Sequence, residues 1–223
     1  MDIRGSILLL IVVSSGLLSC KNNDNVFKPV IPSFVNVVNA SADTVNIYLN
    51  GTRQNNNSNL LPVAQSFYLP IPAGIENFQF KKAGTIPILF SLPLILADSV
   101  NYSLYIAGET SDKSFSTIDR LLIDSGSTTV RFVNASPDVG NVTITIGDTA
   151  YVKNTSFKLS SEFFKMGSGK KNVKMYVAGV ASPKIDTIIT MQPSSAYTLF
   201  SKGSLNGKGS AVFNIGVVFN ASK

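Results

Sequence analysis

Val38-Asn39-Ala40-Ser41-Ala42-Asp43 returns 95 residues later as Val133-Asn134-Ala135-Ser136-Pro137-Asp138. Other landmarks keep that offset: Gly74 and Gly169, Asn77 and Asn172, Ala83-Gly84 and Ala178-Gly179, Tyr102 and Tyr197, Gly108 and Gly203. Self-similarity at a fixed spacing marks a duplicated structural unit. The 223 residues therefore divide into two units of about 100 residues each. Hydrophobic residues make up 44% and charged residues 14%, enough for each unit to bury a core of its own.

Outward from the repeated stretch, each copy reads as strands. Residues 34–39 and 130–134 form a first strand, and Asn, Ser and Asp then supply turn chemistry by bonding nearby backbone groups. Val45, Ile47 and Leu49 alternate with polar neighbours and stop at Asn50-Gly51; Val142, Ile144 and Ile146 repeat them after a two-residue insertion. Residues 52–59 read as a solvated loop. Prolines 70 and 72 put the strand at 67–71 at a sheet edge or strand end, and prolines 87 and 93 make 86–96 an edge strand rather than a helix. Residues 77–81 and 172–177 alternate again. The remaining strands are expected from Tyr102 through Leu104 and Ile106 and at 118–124 in the first copy, and at 157–164, 185–191, from Tyr197 through Leu199 and at 211–219 in the second. Leu96 and Met191 each stand six positions before Tyr102 and Tyr197, a spacing that resembles the tyrosine corner of sandwich folds. The alternative for these tyrosines is a ligand-stacking role. About seven strands per copy and no helix predict an all-β protein with two tandem immunoglobulin-like β-sandwich domains, residues 34–126 and 127–223.

The chain has no His and one Cys. Absence of His removes the commonest general base, the Ser-His and Cys-His nucleophile pairs and the commonest zinc ligand. One Cys forms no intramolecular disulfide and no cysteine metal cluster. The expectation is a protein that is not an enzyme, with no catalytic residue, metal or cofactor. A carboxylate-based hydrolase is the alternative, and it needs acids from distant loops to converge. Glu76 has Lys171 as its counterpart, so the repeat supplies no such pair.

Residues 1–19 read as a signal peptide, with Arg4 in the head and an apolar run at 7–13 too short for a bilayer span. Leu17-Leu18-Ser19-Cys20 resembles the lipobox of bacterial lipoproteins, which implies cleavage before Cys20, its acylation (palmitate among the chains) and a membrane anchor. The alternative is an ordinary signal with an unpaired thiol nearby. Residues 20–33 then form the lipidated Cys and a flexible polar tether, resembling the export signals of surface lipoproteins in the Bacteroidota.

The repeated Asn-Ala-Ser-x-Asp after a Val-rich strand, with the later Ala-Gly and Tyr landmarks, resembles domain-of-unknown-function family 4397 over residues 34–223. The resemblance implies an exported bacterial protein or lipoprotein with domains in tandem, and it implies no activity and no catalytic residues.

Three sets of residues are candidates for binding or modification. Asn39, Ser41 and Asp43 with Asn134, Ser136 and Asp138 form a possible binding turn present twice, against the alternative of an Asx-type turn fixing a hairpin. Calcium wants six to eight oxygens, and no dense acidic loop provides them. Residues 34–126 hold 5 Lys/Arg against 7 Asp/Glu, and residues 127–223 hold 11 against 4. In the basic half, Lys165, Lys170, Lys171 and Lys174 are a candidate patch for acidic glycan or lipopolysaccharide phosphate, or else a solubilising sheet edge. Thr44, Ser99, Thr149 and Thr187 each follow Asp and precede an apolar residue, resembling the O-glycosylation acceptors of the Bacteroidota. No nucleic-acid partner is expected for an exported chain whose basic residues lack interleaved exposed aromatics. The expected function is a lipid-anchored module of the outer membrane that binds a glycan or protein partner or plays a structural part. The alternative is a periplasm-facing accessory subunit of an envelope complex.

Overall fold

A computed structural model describes residues 30–55, 58–147 and 149–223. The first copy contributes β1 (Pro32–Asn39), β2 (Val45–Leu49), β3 (Thr52–Arg53), β4 (Gln65–Pro72), β5 (Gly74–Lys82), β6 (Phe90–Leu96), β7 (Asn101–Ile106) and β8 (Ser114–Ile118). The second contributes β9 (Thr128–Asn134), β10 (Val142–Ile146), β11 (Thr149–Thr155), β12 (Phe164–Met166), β13 (Gly169–Val177), β14 (Ile185–Met191), β15 (Ser195–Lys202) and β16 (Asn214–Ser222). Each strand of one copy has a counterpart in the other. The order β4-β1-β7-β8 over β3-β2-β5-β6 reappears as β12-β9-β15-β16 over β11-β10-β13-β14. The chain is thus two tandem β domains, each a sandwich of two four-stranded sheets.

The strand order departs from the expected immunoglobulin arrangement. In that fold the first strand lies at the edge of one sheet. Here β1 is central, paired antiparallel with β4 and parallel with β7, and β9 is placed the same way between β12 and β15. Four strands also lie elsewhere than expected. The first copy closes with β8 at Ser114–Ile118, so 119–127 is a connecting segment. Residues 157–163 lie outside named strands, between β11 and β12. A short strand, β3, begins the stretch read as loop, and β1 starts at Pro32, inside the stretch read as tether. The proline assignments hold: β4 and β6 are edge strands.

Each sandwich has its own core. Val35, Val37, Ile47, Phe78, Phe80, Leu104 and Ile106 fill the first, and Val130, Phe132, Ile144, Val173, Met175 and Leu199 the second. A third cluster joins them: Val38, Ala40, Tyr105 and Ala107 pack with Val133, Ala135, Phe200 and Val218. These residues stand on the outer faces of β1, β7, β9, β15 and β16 or just beyond their ends. The sheets β4-β1-β7-β8 and β12-β9-β15-β16 therefore face each other, and residues Ile31–Lys223 make one compact unit. Burial on both faces explains why β9 and β15 are buried at every position and why the first strands alternate only weakly.

Both corner tyrosines do the expected work. The Ala97 N–H donates to the Tyr102 hydroxyl at 3.1 Å, and the Gln192 N–H donates to that of Tyr197 at 3.1 Å. The carbonyls of the same two residues accept from the Ser33 and Thr128 hydroxyls, each at 2.7 Å. The corner thus ties the strand-6 to strand-7 connection to the start of the first strand.

Candidate functional site

The two Asn-Ala-Ser-x-Asp turns follow β1 and β9 and lie at one end of the joined sandwiches. Asn39 and Asn134 are fully buried. The Asn39 amide donates to the carbonyls of Asp43 (2.7 Å) and Leu60 (3.0 Å), and its oxygen accepts from the Ser41 N–H (3.0 Å) and hydroxyl (2.7 Å). Asn134 donates to the carbonyls of Gly140 (3.0 Å) and Thr155 (2.8 Å) and accepts from the Ser136 N–H (3.0 Å). Its fourth bond comes from the Ser201 hydroxyl at 2.7 Å, and the buried Ser136 hydroxyl has no partner among the described residues. Ser201 stands where the first copy has Ile106, which accounts for the substitution of one donor for the other. Each Asn thus meets four polar partners, the full capacity of an amide, and clamps its turn to the segment after the third strand in the first copy and to the end of that strand in the second. The next residue, Ala40 or Ala135, is small enough for the two copies to pack there.

The clamp leaves the aspartates outside. Asp43 forms an ion pair with Lys82 at 3.1 Å, and Lys82 also meets Glu109 at 3.0 Å. Glu109 and Asp43 hold the Lys82 ammonium above its ordinary range. Asp138 lies 3.9 Å from Lys113 of the other copy. Around these groups a groove of about 400 Å³ opens between the copies, lined by Ala40, Ser41 and Asp43 on one side and by Pro137, Asp138 and Gly203 on the other. Glycine is required at 203: its φ is +74°, and an added Cβ would stand 2.4 Å from the Val212 carbonyl oxygen. Of the six candidate turn residues, Ser41, Asp43 and Asp138 reach the groove, whereas Asn39, Asn134 and Ser136 lie in the interior.

The four candidate lysines do not share one patch. Lys165 lies on β12 and meets Asp124 at 2.8 Å, while the other three lie on β13 in a different sheet. There Lys170 and Lys174 alternate with the buried Val173 and Met175, Lys171 takes the opposite face, and Lys174 lies 3.8 Å from Asp186. Strand alternation splits what looked contiguous in sequence. Among the glycosylation candidates, Ser99 and Thr149 are exposed, and Thr44 and Thr187 are half-buried. Cys20 and most of the tether lie outside the described residues.

Sequence reasoning missed a polar network that bridges the copies. Arg131 on β9 and Asp119 in the connecting segment are both buried and form an ion pair. Arg131 Nε also donates to Thr198, and Nη1 to the Ile118 carbonyl at 3.2 Å. Asp119 accepts from the hydroxyls of Tyr68 (2.5 Å) and Ser103 (2.7 Å), and Asn220 donates to Tyr68 (3.1 Å). Burial first, and then the adjacent Asp119 charge, push the Tyr68 phenol well above the usual tyrosine range. Arg131 stands where the first copy has Asn36, so the repeat gave no signal of it.

No curated protein matches the chain. Among solved structures, it is similar to a leucine-rich repeat protein from Bacteroides thetaiotaomicron at 12% identity and a TM-score of 0.19, over 75% of this chain and 25% of that one. It is also similar to a proposed cell adhesion protein from Bacteroides fragilis at 11% identity and a TM-score of 0.24, over 82% of this chain and 85% of that one. The chain thus spans a quarter of the length of the first of these. The family model described as Domain of unknown function (DUF4397) matches twice, at residues 33–145 and 128–214. With these two matches in tandem over more than half of its length, the chain belongs to that family.

Proposed function

We propose that this is an exported protein, lipid-anchored to the outer membrane through Cys20, whose joined sandwiches act as a non-enzymatic module that binds glycan. The observation that carries this reading is the convergence of both repeated turns on one groove of about 400 Å³, within the size range of small-ligand sites. Small residues and backbone admit a ligand closely, while Ser41, Asp43, Glu109 and Asp138 offer oxygen acceptors to sugar hydroxyls. Each of the groove's three carboxylates lies within 3.9 Å of a lysine ammonium.

The test is a glycan array probed with the full chain and with an Asp43→Asn/Asp138→Asn variant, beside cross-linking on whole cells. The reading expects array binding that the double variant loses, with its denaturation midpoint unchanged. Array binding that survives the variant, or capture only of a protein through other surfaces, contradicts it. The anchor is tested separately: labelled palmitate should enter the wild-type chain and not the Cys20→Ser variant.

A further inference from the structure

A second cavity, of about 380 Å³, opens on another side of the junction, and both copies build it. The first copy contributes Ser116, Thr117 and Arg120 from β8 and the connecting segment; the second contributes Arg131, Lys158, Ser160 and Ser161. It exists only because the sandwiches are docked. Three cations and four hydroxyl groups line it against one acid, Glu162. Arg131 is fixed in place: its guanidinium stacks 4.7 Å over the Phe163 ring, and three of its five N–H donors meet Thr198, Ile118 and Asp119. Arg120 and Lys158 are exposed and form no ion pair among the described residues.

The Lys158 charge is not needed by the turn that carries it. Lys158 sits in a turn at φ +70°, its N–H donating to the Asn134 carbonyl at 2.9 Å. The first copy builds the same turn at φ +63° with Val63, donating to Asn39 at 2.8 Å. Arg131 likewise replaces Asn36. The second copy therefore carries positive charge at two positions where the first carries none, and both charges line one cavity. Guanidinium, ammonium and hydroxyl donors brought together suit an oxyanion.

We propose that this cavity between the copies is a binding site for a phosphate monoester group, as carried by a phosphorylated sugar or a lipid headgroup. It is separate from the groove at the repeated turns, and neither reading depends on the other.

The test is amide NMR of the full chain in detergent micelles, titrated with inorganic phosphate, with glucose 1-phosphate and with glucose. The site predicts saturable shifts at residues 116–120 and 158–163 with both phosphates and none there with glucose. An Arg120→Ala/Lys158→Ala variant should bind about tenfold more weakly or worse at an unchanged denaturation midpoint, and Glu162→Gln should bind more tightly. Sedimentation with vesicles containing phosphatidic acid identifies the source: binding that the double variant loses points to a headgroup, and its absence beside saturable glucose 1-phosphate binding points to a soluble ester. Shifts that fail to saturate, that spread equally to Lys165, Lys170 and Lys174, or that the double variant leaves unchanged would overturn the proposal.

Discussion

Ser41 and Ser136 hold the same place in the repeat and are expected to respond differently to the same change. Ser41→Ala removes a donor to Asn39 and should cost about 1 kcal/mol. Ser136→Ala removes a buried hydroxyl that has no partner among the described residues and should be neutral or stabilising. Urea denaturation midpoints of the two variants check this, and equal losses would show that Ser201 does not replace the hydroxyl. Asp119→Ala strands the buried Arg131 charge and should cost about 3–5 kcal/mol, read by the same measurement. The Tyr68 phenol adds a pH signature. Its folded value lies above the unfolded one, so its contribution is complete below about pH 10, the unfolded value, and is lost as the pH rises beyond it. Thermal midpoints across that range should fall less steeply for Tyr68→Phe than for wild type. At this scale the corner tyrosines were legible because spacing alone marks them. Asp119 and Arg131 were not: a charged residue on a strand reads as solvent-facing, and only the docking of the two sandwiches covers these two.

Strand alternation was legible where one face of a sheet meets solvent. β2, β5, β10 and β13 belong to the sheets that face away from the junction, and all four were found from period-two patterning. The strands of the facing sheets have partners on both sides, so their patterns blur, and the order in which strands pair leaves no trace in hydrophobicity at all. That is why the sequence led to an immunoglobulin arrangement while the chain adopts a different one. β16 shows how closely the facing sheets are fitted. An added Cβ on Gly216 would stand 2.1 Å from the Phe200 ring, and Phe200 is at the centre of the cluster that joins the copies. Gly216→Val should therefore cost about 1–3 kcal/mol through overpacking, seen in denaturation. A neutral result would mean that Phe200 has room to turn away.

At the scale of the whole molecule, duplication was plain from the 95-residue offset, but the joining of the copies was not. Nothing in the spacing tells whether Ala40 and Ala135 face solvent or each other. Once they meet, the repeated stretch has three assignments: Asn closes a turn, Ala packs the copies together, and Asp borders the groove that the packing creates. Both proposed sites lie at this junction and require the copies to move as one body. Calorimetry of the full chain tests that most directly. The account predicts a single unfolding transition whose calorimetric and van't Hoff enthalpies agree. Two resolved transitions, with Asp119→Ala leaving one of them untouched, would contradict it.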